Sequence, residues 1–583
     1  MVPSMIQGAA ARRVSKQGAS EGVSFLSRLN RQWRCLSGLP GANLFGAGTL
    51  FGDNAETKDA DVVVIGGGSG GISCANELGR KGKRVVLFDY VSSSTQGSSW
   101  GFGGTCVNVG CIPKKLMHDA SCLRADARHD AQAFGLDNII DTTSDDPVDW
   151  ETLRSTVQSY IKSLNFSYTV GLNENVQLIR SKASFCQPEE GKGVSSVRYI
   201  DPLSQEEKTL HAREAAVVAV GGRPALPSEK ECPGARDYGV TSDDIFSLER
   251  APGKTLCVGA SYVSTEVAGA LGNLGFDTTL AVRSKILRGD AFDEQCATKV
   301  GEMLVANGID VRMKASPLRI EKQETGLSVT LQQGDNVIEE KFDTVFFGTG
   351  RKACVKDLNL DSVGIQVNSS TNKIIVDRSS FQTTNHNIYC IGDAADTELP
   401  ELTPVAIRQG ECVANEICKS VDRNLFETVN DQNIHEKSLM VPSTVFTPVE
   451  YGRIGYSETA AQRVFGKDDI ETYLVEWQSL ALSAIHRKGA NGAEYPLQCL
   501  AKLVCQRSKN ERVVGLHYVG PHAGELLQGF ALAVNLGATK QDFTDRVLGI
   551  HPTDAEAFTD IRVSRSSGED FVQSGGCGGG RCG

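Results

Sequence analysis

Short apolar runs alternate with glycine-rich turns and helical stretches through most of the chain. The first strand-length run, 61–65 (DVVVI), leads into the glycines of 66–71 and a helical stretch, and a second run, 84–89 (RVVLFD), ends in an acid. Strand, GxGxxG turn, helix and strand ending in an acid is the pattern of a dinucleotide-binding βαβ unit. The glycines let the backbone approach a pyrophosphate at the helix N-terminus, and Asp89 is placed to bind a ribose hydroxyl pair. The alternative, a simple glycine-rich turn, does not account for the flanking strands.

A second unit of this kind begins at residue 254, with a strand, the turn GASYVS and a helix. Its glycine pattern is degenerate, because Ser261 and Ser264 stand where glycines are usual. The next strand ends in Arg283, and Arg288 follows five residues later. An acid at this position repels a 2′-phosphate, whereas arginines bind it bidentately. The pattern therefore favours NADPH over NADH, with surface arginines of no function as the alternative.

A third strand-length run, 387–393, ends in Gly-Asp. The acid at its end, Asp393, is placed to contact the sugar part of a bound cofactor. Two dinucleotide sites in one chain imply internal electron transfer, commonly from NADPH to a flavin.

The chain has 17 cysteines, and the pair Cys106/Cys111 stands out by its surroundings, GGTCVNVGCIPKK. Residues five apart on an ideal helix have Cα atoms about 8.6 Å apart, whereas a disulfide needs roughly 4.4–6.8 Å. A bridge therefore requires a distorted turn, which Gly110 favours together with the proline that follows. Lys114 and Lys115 help to stabilise a thiolate. Half of a zinc site is the alternative, but further ligands at metal-binding spacing are absent from the neighbouring sequence.

The motif at 103–115 resembles the redox-active motif of the pyridine nucleotide-disulfide oxidoreductases, a family that includes glutathione reductase, dihydrolipoamide dehydrogenase and large-type thioredoxin reductase. The resemblance extends from about residue 59 to the end of the chain. It also includes VGASYV at 258–263, VRSKILRG at 282–289, GTGR at 348–351, CIGDAAD at 390–396, ELTPVAI at 401–407 and VPSTVFTPVEYG at 441–452.

The resemblance implies an α/β protein with two Rossmann-like domains, for FAD and for NADPH, and an α+β domain that forms a homodimer. The expected order is a leader at 1–58, the FAD-binding domain at 59–222 and 351–440, the NADPH-binding domain at 223–350, the interface domain at 441–570 and a flexible redox-active tail at 571–583.

The resemblance also implies a function for individual residues. Cys106 is the interchange thiol, Cys111 lies against the flavin, Lys114 pairs with Glu266 near it, and Tyr262 gates the nicotinamide pocket. The remaining cofactor-binding residues expected are Gly66, Gly68, Ser69, Gly71, Asp89, Thr105, Gly222, Gly259, Val263, Arg283, Arg288, Gly350 and Asp393.

The segment HPTDAE at 551–556 matches the HPxxxE signature of the family. His551 held by the carboxylate of Glu556 is the arrangement needed to carry a proton to and from a thiolate. In isolation, His551 has a simpler interpretation as a structural histidine with a satisfied hydrogen bond.

The chain ends in GGCGGGRCG at 575–583, which contains the second distinctive pair, Cys577 and Cys582. The run-up, 558–576, resembles that of large-type thioredoxin reductases, and the CxxxxC form resembles certain protozoan members. Glycines give the tail freedom to bring the thiols together and to swing, and Arg581 favours the Cys582 thiolate. A glycine-rich tail with incidental cysteines, or a metal clip, is the alternative.

Charge and composition limit the remaining possibilities. The net charge of −11 argues against a nucleic-acid partner, and no segment has the apolar length of a membrane span. Residues 1–52 are amphipathic and rich in serine and arginine, with Glu21 as their single acid. This composition is typical of an organellar transit peptide and predicts a location in the mitochondrion, the cytoplasm or both. An extension without targeting function is the alternative.

Together these features predict an enzyme that supports cell redox homeostasis without a metal ion. Electrons are expected to pass from NADPH to FAD, to Cys106/Cys111, to Cys577 and Cys582 of the partner subunit, and then to thioredoxin or a thioredoxin-like protein. Two alternatives remain: a glutathione-reducing enzyme of the same fold, and a flavoprotein dimer that serves only as a scaffold.

Overall fold

The computed structural model of the chain describes residues 59–136, 147–188, 191–420 and 434–573. The predicted leader and the tail cysteines Cys577 and Cys582 lie outside the described residues. The helices and strands that follow are numbered in chain order.

The first part of the chain forms a seven-stranded sheet in the order β3-β2-β1-β6-β5-β4, with a later strand added beside β6. Its centre, β1, is parallel to β2 and β6, and its valines are fully buried, because two helices pack on one face of the sheet and residues 355–376 pack on the other. The elements are β1 (Asp59–Ile65), α1 (Ser69–Arg80), β2 (Val85–Phe88), α2 (Gly104–Val109), α3 (Cys111–His129), α4 (Trp150–Val170), β3 (Val176–Ile179), β4 (Ala183–Cys186), β5 (Ser195–Ile200), β6 (Glu207–Val218) and β7 (Gly222–Pro224).

The second dinucleotide-binding unit has a parallel sheet in the order β10-β9-β8-β14 and a three-stranded antiparallel sheet, β11-β12-β13. Its elements are α5 (Ala235–Tyr238), α6 (Ser242–Ile245), β8 (Thr255–Val258), α7 (Tyr262–Asn273), β9 (Thr278–Val282), α8 (Glu294–Ala306), β10 (Asp310–Met313), β11 (Ala315–Lys322), β12 (Leu327–Gln333), β13 (Asn336–Phe342) and β14 (Thr344–Phe347).

The chain then returns to the first sheet, where β17 pairs in parallel with β6 and β15 pairs with β7. The long helix α9 crosses α1 at close range: a Cβ atom on Gly410 would lie 2.5 Å from the carbonyl oxygen of Gly70. Glycine is therefore required at this crossing. The elements are β15 (Arg351–Ala353), β16 (Ile374–Ile375), β17 (Ile388–Cys390), β18 (Ala395–Asp396) and α9 (Thr403–Ile417).

The last part is an antiparallel five-stranded sheet in the order β19-β20-β23-β22-β21, with a helix packed on one face. The α/β fold class with two dinucleotide-binding units and a C-terminal α+β part is thus confirmed. The elements are α10 (Ile434–Leu439), β19 (Ser443–Val445), β20 (Glu450–Gly455), α11 (Glu458–Phe465), β21 (Ile470–Trp477), α12 (Leu480–Ile485), β22 (Cys499–Gln506), β23 (Arg512–Gly520), α13 (Ala523–Asn535) and α14 (Lys540–Asp545).

A buried lysine on β22 joins this last sheet to the second dinucleotide-binding unit. The Nζ atom of Lys502 lies 2.8 Å from both carboxylate oxygens of Asp293 and 2.7 Å from Oε2 of Glu458. Lys502 is 1% exposed. Asp293 also caps α8 and accepts a hydrogen bond from the amide of Glu458. Two carboxylates and one ammonium therefore share a largely buried site.

Replacement of this lysine should destabilise the protein strongly. In Lys502→Met the buried Asp293 loses the ammonium that pairs with it, and Glu458 keeps only its pair with Arg565; breaking a buried pair typically costs roughly 3–5 kcal/mol. We expect a clear fall in the apparent melting temperature measured by circular dichroism. Lys509→Met removes an exposed lysine a few residues away and should leave the melting temperature nearly unchanged. Equal melting temperatures for the two variants would contradict this view of the cluster.

Candidate active site

The first glycine-rich turn is shaped for a phosphate group. Gly66 has φ +117°, and a Cβ atom on it would lie 2.3 Å from the oxygen of Ala219; a Cβ atom on Gly71 would lie 1.8 Å from the oxygen of Gly66. No side chain caps α1, whose N-cap is Gly68 and whose first residue is Ser69. The first amide groups of the helix thus face outward without a protein acceptor from the cap, which suits the pyrophosphate of a dinucleotide.

The acid at the end of β2 lies next to this turn. Oδ1 of Asp89 accepts a hydrogen bond of 3.0 Å from the amide of Gly67, which fixes the carboxylate. Burial raises the pKa of Asp89, and the hydrogen bond from Gly67 partly offsets that effect. The geometry fits a carboxylate that contacts a ribose.

A second acid, Asp393, lies in the short turn after β17 and faces the beginning of α9. Burial, and next the nearby Glu401, raise the pKa of Asp393. The adjacent Gly392 donates its amide hydrogen to Oε1 of the buried Gln409, 2.7 Å away, which anchors the turn to α9. The two acids and the helix N-terminus fit the two ends of a bound FAD.

The two cysteines lie on different helices, because the backbone breaks between them. Cys106 is in α2 and Cys111 begins α3, with Gly110 at φ −138° and ψ −120° between the helices. A Cβ atom on Gly110 would lie 2.9 Å from the oxygen of Thr105. The structure thus has the distorted turn that the spacing of the cysteines predicted, and glycine is needed there for steric reasons.

The two thiols have opposite proton affinities. A hydrogen bond from Cys106, and then the charge of Lys114, lower the pKa of Cys111 to about 6 although burial opposes the change. Cys106 has a raised pKa, because it donates its proton in the hydrogen bond to Cys111 and is partly buried. The hydroxyl of Thr403, the first residue of α9, lies 3.7 Å from Sγ of Cys111. Cys111 is therefore the thiolate of the pair, and Cys106 keeps its proton.

Lys114 is held by an ion pair with Glu266 of α7, as the resemblance implied. Burial disfavours the ammonium, but the charge and hydrogen bond of Glu266, together with the nearby Tyr262 and Cys111, outweigh it and raise the pKa of Lys114. The other carboxylate oxygen of Glu266 accepts a hydrogen bond of 2.8 Å from the amide of Phe446, and the ring of Tyr262 lies 4.9 Å from Nζ of Lys114. The two dinucleotide-binding units and the C-terminal part meet at this point.

The second nucleotide turn shows why serine can replace glycine. Ser264 is fully buried, and its hydroxyl donates to the carbonyl oxygens of Val258 (3.1 Å) and Gly348 (3.2 Å). Gly259 has φ +113°, and a Cβ atom there would lie 2.7 Å from the oxygen of Gly348. The hydroxyl of Ser264 therefore satisfies two carbonyl groups of this turn, whereas Gly259 has no space for a side chain.

The other residues predicted on this side lie around that turn. Arg283 and Arg288 are exposed just beyond the end of β9, where a 2′-phosphate can reach them. Val263 follows Tyr262 in the first turn of α7. Gly350 has φ +125° and precedes β15.

Three residues that make contacts in the site, Arg351, Thr403 and Gln409, were not assigned from the sequence. Arg351 donates to the oxygen of Gly222 and lies 3.5 Å from the hydroxyl of Thr105, which links β15 to the redox helix. Thr403 contacts Cys111, and Gln409 contacts Gly392. Arg351 and Thr403 belong to the motifs GTGR and ELTPVAI, but those motifs carry no chemistry that identifies a partner.

The predicted histidine and carboxylate meet as expected from their signature. Nδ1 of His551 lies 3.0 Å from Oε2 of Glu556, and about half of the histidine side chain is exposed. This pair lies after α14, whereas the redox cysteines lie on α2 and α3. Cys577 and Cys582 lie outside the described residues.

Comparison with known proteins identifies the class. Residues 60–410 match the model of pyridine nucleotide-disulphide oxidoreductases, and residues 441–562 match the dimerisation domain of the same family. The chain belongs to the pyridine nucleotide-disulphide oxidoreductase family, whose cofactors are FAD and NADPH.

The chain is also similar to two proteins named thioredoxin reductase from Plasmodium falciparum. Each is 44% identical to it over 538 residues, which is 91% of this chain. The alignment covers 93% of the protein from isolate FCH-5 and 82% of the protein from isolate 3D7.

The described part of the chain contains neither a helix that could cross a membrane nor a cluster that could hold a metal ion. None of its helices has both the length and the apolar composition that a bilayer crossing needs. Within the same residues, no group of three or more His, Cys, Asp or Glu side chains is arranged to hold a metal ion.

The charge of Lys114 should control the thiolate of Cys111. In Lys114→Gln the donor to Glu266 remains but the cation is lost, so the pKa of Cys111 should rise from about 6 by roughly one unit or more. The rate at which iodoacetamide alkylates Cys111 in the reduced protein, followed by mass spectrometry against pH, should shift its midpoint upward. Lys115→Gln removes the neighbouring lysine, which pairs with Asp119 instead, and serves as the control. A shift of equal size in both variants would contradict a specific effect of Lys114.

Proposed function

We propose that this protein is an NADPH-dependent reductase of the disulfide of thioredoxin. The observation that carries the proposal is the redox pair, with one thiolate and one protonated thiol at the break between α2 and α3, beside two dinucleotide-binding units. That arrangement supports a disulfide reductase. The similarity to thioredoxin reductases over 91% of the chain supports thioredoxin as the substrate.

The chemistry that FAD and NADPH supply when bound is the delivery of two electrons to the Cys106–Cys111 disulfide. Gly66, Gly71 and the start of α1 would hold the pyrophosphate of FAD, with Asp89 near its ribose. Arg283 and Arg288 would bind the 2′-phosphate of NADPH. The Lys114–Glu266 ion pair keeps a positive charge beside the thiolate that forms on Cys111.

The next step transfers the electrons to the tail by thiol–disulfide exchange. Because Cys106 keeps its proton, it needs a base before it can attack. His551, whose Nδ1 lies 3.0 Å from Oε2 of Glu556, would serve as that base. The Cys106 thiolate attacks one sulfur of the Cys577–Cys582 disulfide and releases the other as a thiolate. Cys111 then attacks Cys106, which re-forms the Cys106–Cys111 disulfide and frees the tail dithiol.

The tail dithiol reduces the substrate in the same way. Cys582 attacks the disulfide of thioredoxin, and Cys577 resolves the mixed disulfide. Over the cycle, one NADPH and one proton convert one thioredoxin disulfide into a dithiol.

We further propose that the working form is a homodimer in which the tail of one subunit serves the other. Residues 441–562 match a dimerisation domain, and several large apolar side chains near its end are exposed. Exposed apolar side chains of this size suit contact with a second subunit. The exposed residues are Leu532 (66%), Leu536 (78%), Leu548 (93%) and Ile550 (77%).

Removal of the tail should separate the two half-reactions. Cys582→Ser, or truncation after Gly576, should almost abolish thioredoxin reduction, because no dithiol can form on the tail. NADPH should still reduce the Cys106–Cys111 disulfide, measured by thiol alkylation and mass spectrometry. Cys186→Ser changes a half-buried cysteine on β4 and serves as the control. Full thioredoxin turnover without the tail would redirect the proposal toward a small disulfide such as that of glutathione.

We also propose that residues 1–52 direct at least part of the protein to the mitochondrion, on the basis of their basic, amphipathic composition. A fluorescent protein fused behind residues 1–58 should enter mitochondria. The same fusion with Arg28, Arg31 and Arg34 changed to Glu should stay outside, because the basic face is lost. A wholly cytosolic location of the first fusion would refute the proposal and leave the leader without targeting function.

A further inference from the structure

The last residues that the structure describes run along the outer strand of the C-terminal sheet. Residues 563–573, which we call the tail root, lie beside β21, the last strand in the sheet order. The amide of Leu474 donates to the oxygen of Val563 at 3.1 Å, and Glu476 exchanges two backbone hydrogen bonds with Phe571 and Gln573 at 3.0 and 2.9 Å. The root is therefore paired with β21 at both of its ends.

Side chains fasten the middle of the root, where it leaves the strand. Arg565 pairs with Glu458 of α11 at 2.9 Å and donates to Oε1 of Gln295 in α8, also at 2.9 Å. Ser566 donates its hydroxyl and its amide to Glu471, a carboxylate that is largely buried. Although burial opposes the charge, the hydrogen bonds from Ser566 help to lower the pKa of Glu471. The middle of the root thus contacts both the sheet and α8.

The strand that carries the root is itself tied to α8. Glu476 of β21, whose backbone binds Phe571 and Gln573, forms an ion pair with Lys299 of α8. Lys299 is 8% exposed. The end of the root is therefore fixed to the same helix as its middle, through a buried charge pair.

We propose that these contacts form a clamp that sets the starting point of the redox tail at Gln573, and that Arg565 and Ser566 are positioning residues for electron transfer to the tail. This inference rests on the proposed function. Cys582 is nine residues beyond Gln573, which limits its reach to roughly 31 Å. Without the clamp, the preceding fixed point is Ile561, which is fully buried and 21 residues from Cys582.

The number of residues between a fixed point and a reacting thiol affects the rate of an intramolecular exchange. The effective concentration of one end of a flexible chain near a fixed partner falls roughly as the −3/2 power of its length. Lengthening the path to Cys582 from nine to 21 residues therefore lowers the rate of tail reduction roughly three- to fourfold. Loss of the clamp should leave the reduction of Cys106/Cys111 by NADPH unchanged, because no contact among the described residues joins the tail root to that pair.

The test compares clamp variants in the full-length, FAD-loaded dimer. Arg565→Met/Ser566→Ala removes the side-chain contacts at exposed positions, and adding Gln573→Pro removes the backbone donor to Glu476. After mixing with NADPH, acid quench and alkylation followed by mass spectrometry give the rate at which tail thiols appear. A variant with Arg565→Lys in place of Arg565→Met should retain most of the rate of tail reduction, since lysine keeps a positive charge beside Glu458. The matched control is Arg319→Met/Ser508→Ala, which removes an exposed ion-paired arginine and a serine bound to Asp469 elsewhere in the chain.

We expect tail reduction to slow stepwise in the two clamp variants, up to about fourfold, with tail reduction in the control variant and the reduction of Cys106/Cys111 in all variants unchanged. An insertion of glycine and serine after Gln573 that lengthens the path to 21 residues should slow the unmutated chain equally. Unchanged tail reduction in both clamp variants would overturn the clamp. Absence of tail thiols in the unmutated protein would instead overturn the proposed function, so the two failures are distinguishable.

Discussion

The ion pair between Lys114 and Glu266 is the interaction on which the rest of the site depends. Lys114 belongs to the redox helix α3 and Glu266 to the nucleotide-binding helix α7, and both side chains are buried. A buried carboxylate without a cation is strongly unfavourable, so each partner requires the other. Because Glu266 also accepts the amide hydrogen of Phe446, a displacement of any of the three parts of the fold would break this arrangement.

The same ion pair contributes to the difference in pKa between the two thiols. The hydrogen bond that Cys106 donates, and next the fixed ammonium of Lys114, lower the pKa of Cys111 to about 6, and the same hydrogen bond keeps the proton on Cys106. A pair of equal thiols would have no preferred direction of attack. The difference makes one sulfur a stable thiolate and leaves the other dependent on a base.

Buried charges recur wherever separate parts of the fold meet. Lys502 joins β22 to the cap of α8, and Lys299 joins α8 to β21. Such contacts are directional, so they fix orientation in a way that apolar packing alone does not. The helix α8 thereby connects the nucleotide-binding unit to the strand beside which the C-terminal segment runs. The tail root therefore pairs with a fixed strand, and it covers a sheet edge that would otherwise be exposed.

The sequence alone determined the features that depend on neighbouring residues. Strand, turn and helix at 61–89 follow from the alternation of apolar residues and glycines, and the break at Gly110 follows from the spacing of two cysteines. The link between Lys114 and Glu266 came from the resemblance to a family, since no local pattern connects residues so far apart. Only the tertiary structure placed Thr403 beside Cys111 and residues 563–573 beside β21. Local pattern reflects the conformational preferences of short segments, whereas these contacts join segments that come together only when the sheets pack.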